Sequence, residues 1–146
     1  LTYGNRSFGL LVHSDTPASN TYYRFRTYQG GSWELTENNN GVVAECADTG
    51  IFTPPVGPLF TSDPWFHIKM RTTVTAGVSV IVDACIWRDG TVEPAYQSPK
   101  AQADSGCGRC TDTVSRHESG RIGVWAYNDN NAPGNRFLDN ITVNDL

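Results

Sequence analysis

Apolar and polar positions alternate along much of this chain, and the alternation has a period of two. In 21–28, TYYRFRTY, one set of alternate residues is Tyr23, Phe25 and Thr27, and the other is Tyr22, Arg24, Arg26 and Tyr28. In 65–71, Phe66, Ile68 and Met70 oppose Trp65, His67, Lys69 and Arg71. In 78–87, Val78, Val80, Val82, Ala84 and Ile86 oppose Ser79, Ile81, Asp83, Cys85 and Trp87. In 120–127, Ile122, Val124 and Ala126 oppose Arg121, Gly123, Trp125 and Tyr127. Strands are predicted at 8–13, 21–28, 32–37, 41–47, 65–74, 78–87, 120–127 and 136–143, each bounded by Gly, Pro, Asn, Asp or Ser clusters. The Asn-Gly of 38–41 and the Asp-Gly of 88–90 read as hairpin turns, because both tolerate positive φ. No segment sustains a 3.6-residue apolar period. The polar stretch 97–118 reads as a loop stapled by C-x-x-C. Many short strands with turn punctuation predict an all-β, antiparallel two-sheet β-sandwich.

At 146 residues the chain fits a single domain, 1–146, large enough to bury a real core. Hydrophobic residues make up 38% and charged residues 18%, so the surface is polar without being strongly ionic, which suits a secreted protein. The net charge of −4 and the lack of a basic run argue against nucleic acid as partner. The longest apolar run, near 78–82, is too short to span a bilayer. Four cysteines, Cys46, Cys85, Cys107 and Cys110, suggest two disulfides with three connectivities open. Cys107–Cys110 with Cys46–Cys85 is the preferred pairing, since the short loop holds the first pair together. Zinc ligation and a redox C-x-x-C are the competing readings.

Three predicted strands pair an apolar face with one carrying both cations and rings. Rings can stack on the C–H faces of sugars, and guanidinium matches carboxylate. Tyr22, Arg24, Arg26, His67, Lys69, Arg121, Trp125 and Tyr127 are therefore candidate ligand-binding residues, if their strands share one sheet. Otherwise they are solvent-face residues whose stems cover the sheet, or core rings of a tighter sandwich.

NTYYRFRTY…GSWELTENNNGVV, DACIWRDGTVEPAYQ (83–97) and SGRIGVWAYNDNNAPGNRFLDNITV (119–143) resemble the laminin G-like, concanavalin A-like lectin/glucanase jelly rolls, across about 8–143. The resemblance implies a non-catalytic carbohydrate-binding or adhesive module of a secreted protein, with a polysaccharide or glycoprotein glycan as partner. The mixture of cations and rings in an acidic chain points to an anionic glycan. Similar domains begin with one or two strands upstream of the segment matching 8–13. Their lack here would leave 136–143 with an unpaired edge. A fragment of a longer chain, unseen upstream residues, or a strand donated by a neighbour would each account for it. The last makes the chain a subunit of an extracellular filament or surface assembly, a homo-oligomer through an unpaired sheet edge.

Asn5 and Asn140 head glycosylation sequons, which fit a secretory route. Asp139 shares parity with Phe137 and Ile141, so its carboxylate needs an arginine partner, a local bulge or a structural calcium ion with ligands from 128–131. A glycan-degrading enzyme is the third reading. Retaining hydrolysis needs two carboxylates about 5–5.5 Å apart on one face. Glu34 and Glu37 are three apart and oppose each other on a strand, and no E-x-D-x-E pattern occurs. A lyase built on His67 with Arg24 or Tyr22 has no supporting spacing.

Overall fold

The computed structural model describes residues 7–15, 20–27, 33–46, 51–52, 66–96, 105–127 and 141–144. Among these residues all regular structure is β. The strands are β1 (Ser7–Ser14), β2 (Tyr22–Thr27), β3 (Trp33–Asn39), β4 (Val42–Glu45), β5 (Ile51–Phe52), β6 (Phe66–Thr75), β7 (Ser79–Arg88), β8 (Ser105–Asp112) and β9 (Arg121–Tyr127). They form two antiparallel sheets. The large sheet runs β4-β3-β2-β1-β9, with β5 also paired to β3, and the small sheet runs β6-β7-β8. No helix among the described residues is long and apolar enough to cross a membrane.

The alternation read from the sequence sorts the core as expected. Tyr23 and Phe25 of β2, Trp33 and Leu35 of β3, and Val80, Val82, Ala84 and Ile86 of β7 are buried between the sheets, with Phe66, Ile68 and Met70 of β6 packed against them. Phe25 and Trp33 pack ring to ring, their centroids 5.1 Å apart. Two turns follow from glycine chemistry. Asn40 (φ 51°) and Gly41 (φ 89°) both lie in the left-handed region, which lets a two-residue turn close the β3–β4 hairpin. Gly9 allows β1 and β2 to approach so closely that a Cβ there would overlap the Phe25 carbonyl. The Asp-Gly of 88–90 turns the chain, with Thr91 N donating to the Arg88 carbonyl, but it leads into an irregular stretch rather than a hairpin.

Three expectations are corrected. Residues 105–112 are not loop but β8, paired along its whole length with β7. The disulfides are Cys46–Cys110 and Cys85–Cys107, not Cys107–Cys110 with Cys46–Cys85. The physical reason is strand geometry: residues three apart on a strand point to opposite faces. Cys107 faces outward opposite Cys85, while Cys110 faces the core and fastens β8 to Cys46 at the end of β4. Finally, 141–144 is exposed and forms no strand; the rest of the strand expected at 136–143 lies outside the described residues. So do Asn5, Asn140, Asp139 and the 128–131 segment.

Candidate functional site

The eight candidate ligand residues fall on two different sheets. Tyr22, Arg24 and Arg26 lie on the outer face of β2, and Trp125 lies on the same face of β9, across β1. Arg121 is exposed at one end of β9 and Tyr127 is paired with Ser7 at the other. His67 and Lys69 lie on β6 of the small sheet, facing away from the core on the other side of the sandwich. One site therefore cannot contain all eight.

On the large sheet, the register sets Arg24 opposite Thr36 and Arg26 opposite Glu34. Arg26 Nε donates to Glu34 Oε1, while Arg24 Nη2 lies 3.7 Å from that same oxygen. Gly9 stands between Arg26 and Trp125 in the register, so no side chain rises from β1 at that point. The Arg24 guanidinium lies 4.6 Å from the centre of the Trp125 ring and 5.7 Å from that of Tyr22. Asn38 links the turn to this patch, since its Nδ2 donates to the Tyr22 hydroxyl and its Oδ1 accepts from Gly41 N. This face was expected to be exposed, yet Arg24 is 3% and Tyr22 6% exposed. Burial, and then the neighbouring Arg26 charge, lower the Arg24 pKa from its ordinary value. Arg24 Nε, Thr36 Oγ1 and Trp125 Nε1 are buried with no hydrogen-bond partner among the described residues. Native structures seldom leave such atoms unpaired.

The outer face of the small sheet uses the same residue types differently. Asp83 of β7 stands opposite Arg71 on one side and Arg109 on the other. It accepts from Arg71 Nη2 at 2.6 Å and from Arg109 Nε and Nη2 at 2.7 and 3.0 Å. Burial alone would raise its pKa, but the hydrogen bonds and charges of the two guanidiniums hold it below the ordinary value. Tyr96 lies under both Lys69 and Arg71, at 4.4 and 4.2 Å from its ring centre. Lys69 Nζ donates to Glu93 and to the Pro94 carbonyl. His67 stacks on Trp87 and meets Asp89 at 2.7 Å. Apart from a buried Arg71 Nε, the charged groups here are matched to one another.

A third polar cluster, which the sequence pattern did not single out, joins the sheets at one end of the core. The Tyr23 hydroxyl donates to Asp112 Oδ2 at 2.6 Å and accepts from His117 N at 3.2 Å. Burial, then the bond to Asp112, raise its pKa. His13 sits at a bulge with φ 53°, and Gly120 packs against its backbone. Its Nδ1 faces the His117 carbonyl, which can only accept, so Nδ1 donates there, and Nε2 is hydrogen-bonded with Thr72 Oγ1 at 3.1 Å. Glu37 faces this cluster while Glu34 faces outward, so the two carboxylates belong to different places. The signal that could have found the cluster is the parity of Tyr23 with the core, which buries a hydroxyl that needs partners.

Among the described residues no group of three or more metal-ligating side chains converges. No family model, curated protein or solved structure matches this chain.

Proposed function

We propose that this chain is a non-catalytic, extracellular carbohydrate-binding or adhesive module of the concanavalin A-like jelly-roll type. Its ligand site is the outer face of the large sheet around Arg24 and Trp125, and its ligand is an anionic glycan. The observation that carries this reading is the set of buried, unpartnered donors, Arg24 Nε and Trp125 Nε1, next to the unpartnered Thr36 hydroxyl. A sugar carboxylate would accept from Arg24, whose nearest carboxylate, Glu34, is already engaged by Arg26. The half-buried Trp125 ring, packed against the buried Tyr22, offers the apolar surface on which a sugar ring would stack. Two disulfides suit an oxidising, extracellular compartment. Glu34 and Glu37 face opposite ways, which supports binding over hydrolysis.

Affinity electrophoresis through gels containing a uronic-acid polysaccharide tests the reading. The wild-type chain and a Lys69→Ala variant should both be retarded, and Trp125→Ala should migrate freely. Equal retardation of the Trp125→Ala variant would reject the site.

A further inference from the structure

The two disulfides stand in different surroundings. Cys46 and Cys110 belong to the core cluster and fasten one sheet to the other. Cys85 and Cys107 lie outside that cluster, directly opposite one another on β7 and β8, on the outer face of the small sheet. Backbone pairing of these two strands extends from Val80–Asp112 to Trp87–Ser105, on both sides of the crosslink. The ladder therefore holds β7 to β8 whether or not the sulfurs are joined. Opening Cys46–Cys110, by contrast, requires a reductant to enter the core between the sheets.

The register builds two adjacent rows on this outer face, Arg71–Asp83–Arg109 and, beside it, Lys69–Cys85–Cys107. Lys69, Arg71 and Arg109 bring three cations around the crosslink, against the carboxylates of Asp83 and Glu93. Neighbouring cations favour a thiolate, and a favoured thiolate leaves readily in disulfide exchange. The Ala95 carbonyl oxygen lies 3.5 Å from Cys107 Sγ and 3.9 Å from Cys85 Sγ. In the disulfide neither sulfur has a proton to give. Once reduced, both thiols have an acceptor already in place. The segment carrying Ala95 is held down on the sheet. Tyr96 lies against Lys69 and Arg71, and Lys69 donates to Glu93 and to the Pro94 carbonyl. Cys85 and Cys107 are buried, so this cover must lift before a reductant reaches them.

We propose that Cys85–Cys107 is a redox site, opened in the folded protein by a small dithiol while Cys46–Cys110 stays closed. One thiolate of the dithiol attacks Cys107 Sγ. The Cys85–Cys107 bond breaks, and its electron pair leaves on Cys85 Sγ, across from the Lys69 ammonium. The second thiolate of the dithiol then attacks its own sulfur in the mixed disulfide and releases Cys107. Two electrons pass to the protein, the dithiol leaves as a cyclic disulfide, and its two protons end on the two cysteines. The site lies on the small sheet and stands independently of the glycan reading.

The test uses the full, folded chain. It starts with no free thiol among its four cysteines, so every label records an opened bond. The chain is treated with increasing dithiothreitol without denaturant, quenched with N-ethylmaleimide and mapped by peptide mass spectrometry. Cys85 and Cys107 should be labelled together at reductant concentrations that leave Cys46 and Cys110 unlabelled, and the β circular-dichroism signal should persist. Tyr96→Ala removes two cation–π contacts from the cover and should speed labelling of Cys85 and Cys107 about fivefold, with no such gain at Cys46 and Cys110. Earlier opening of Cys46–Cys110 would overturn the proposal. So would opening of both bonds only as the β signal is lost, or a Tyr96→Ala chain reduced no faster than wild type.

Discussion

The outer faces of the two sheets draw on the same residue types and reach opposite conditions. On the small sheet, strand register puts Arg71, Asp83 and Arg109 in one row, so a single buried carboxylate is held by two guanidiniums. Lys69 is bound by Glu93, and Tyr96 lies against Lys69 and Arg71. On the large sheet, Arg24 stands opposite Thr36, out of register with Glu34, and the indole of Trp125 covers it. Its Nε is left without a partner among the described residues. Composition does not separate the two faces, because arginine, carboxylate and ring occur on both. What separates them is that the register gives Arg71 and Arg109 a carboxylate to share, whereas it sets Arg24 opposite Thr36. The ion-paired face is the one we assign to stability, and the face around Arg24 is the one we propose for binding.

The largest expected effect acts on the frame that both faces share. Cys46–Cys110 closes a separation of 64 residues and Cys85–Cys107 one of 22. Loop-closure entropy then gives about 4 kcal/mol for the first and about 3 kcal/mol for the second. In urea titrations the Cys46→Ser/Cys110→Ser variant should lose more stability than Cys85→Ser/Cys107→Ser. The reverse order would mean that the crosslink on the small sheet's outer face matters more than the one between sheets.

Next comes Asp83→Asn, which leaves two guanidiniums without their counter-charge. Breaking a buried ion pair costs about 3–5 kcal/mol, and partial exposure of Arg71 and Arg109 brings the expected loss to about 2 kcal/mol. Polysaccharide retention should be untouched. The same carboxylate sets a pH dependence. Its folded pKa is depressed, so its contribution is complete above the unfolded value of about 3.9 and is lost as pH falls through the folded value. The gap in urea midpoint between wild type and Asp83→Asn should be widest near pH 6, as the linkage sign requires, and should narrow as pH falls below about 4. A gap that persists undiminished in strong acid would show that the ion pairs are not its source.

The smallest stability effect belongs to the large sheet. Arg24→Ala removes a buried side chain whose closest carboxylate keeps Arg26, so about 1 kcal/mol is expected. Polysaccharide retention should nevertheless vanish. A melting temperature lowered as far as that of Asp83→Asn would place Arg24 among the structural residues and dissolve the contrast.

The sequence carried the strands and the core well wherever apolar residues alternate with polar ones, as in β2, β6 and β7. β8 was illegible for a physical reason. Its core side is Gly106, Gly108 and Cys110, so small residues stand where an apolar pattern would announce a strand. Missing β8 also misled the disulfide assignment, because only a strand sends Cys107 and Cys110 to opposite faces. The candidate site was half legible. Parity correctly grouped Tyr22, Arg24 and Arg26, but nothing local says that β6 joins a different sheet from β2, so His67 and Lys69 were grouped with them. Nor does sequence reveal that Arg24 would be buried, since that depends on Trp125 reaching it across Gly9 of β1.

One pair of variants tests the contrast most directly. Arg24→Gln and Arg71→Gln remove one guanidinium from each outer face. Their binding to a uronic-acid polysaccharide would be measured by titration calorimetry beside the wild-type chain. Loss of binding in Arg24→Gln with wild-type affinity in Arg71→Gln is the predicted result. Equal affinity in all three chains, or loss confined to Arg71→Gln, would contradict it.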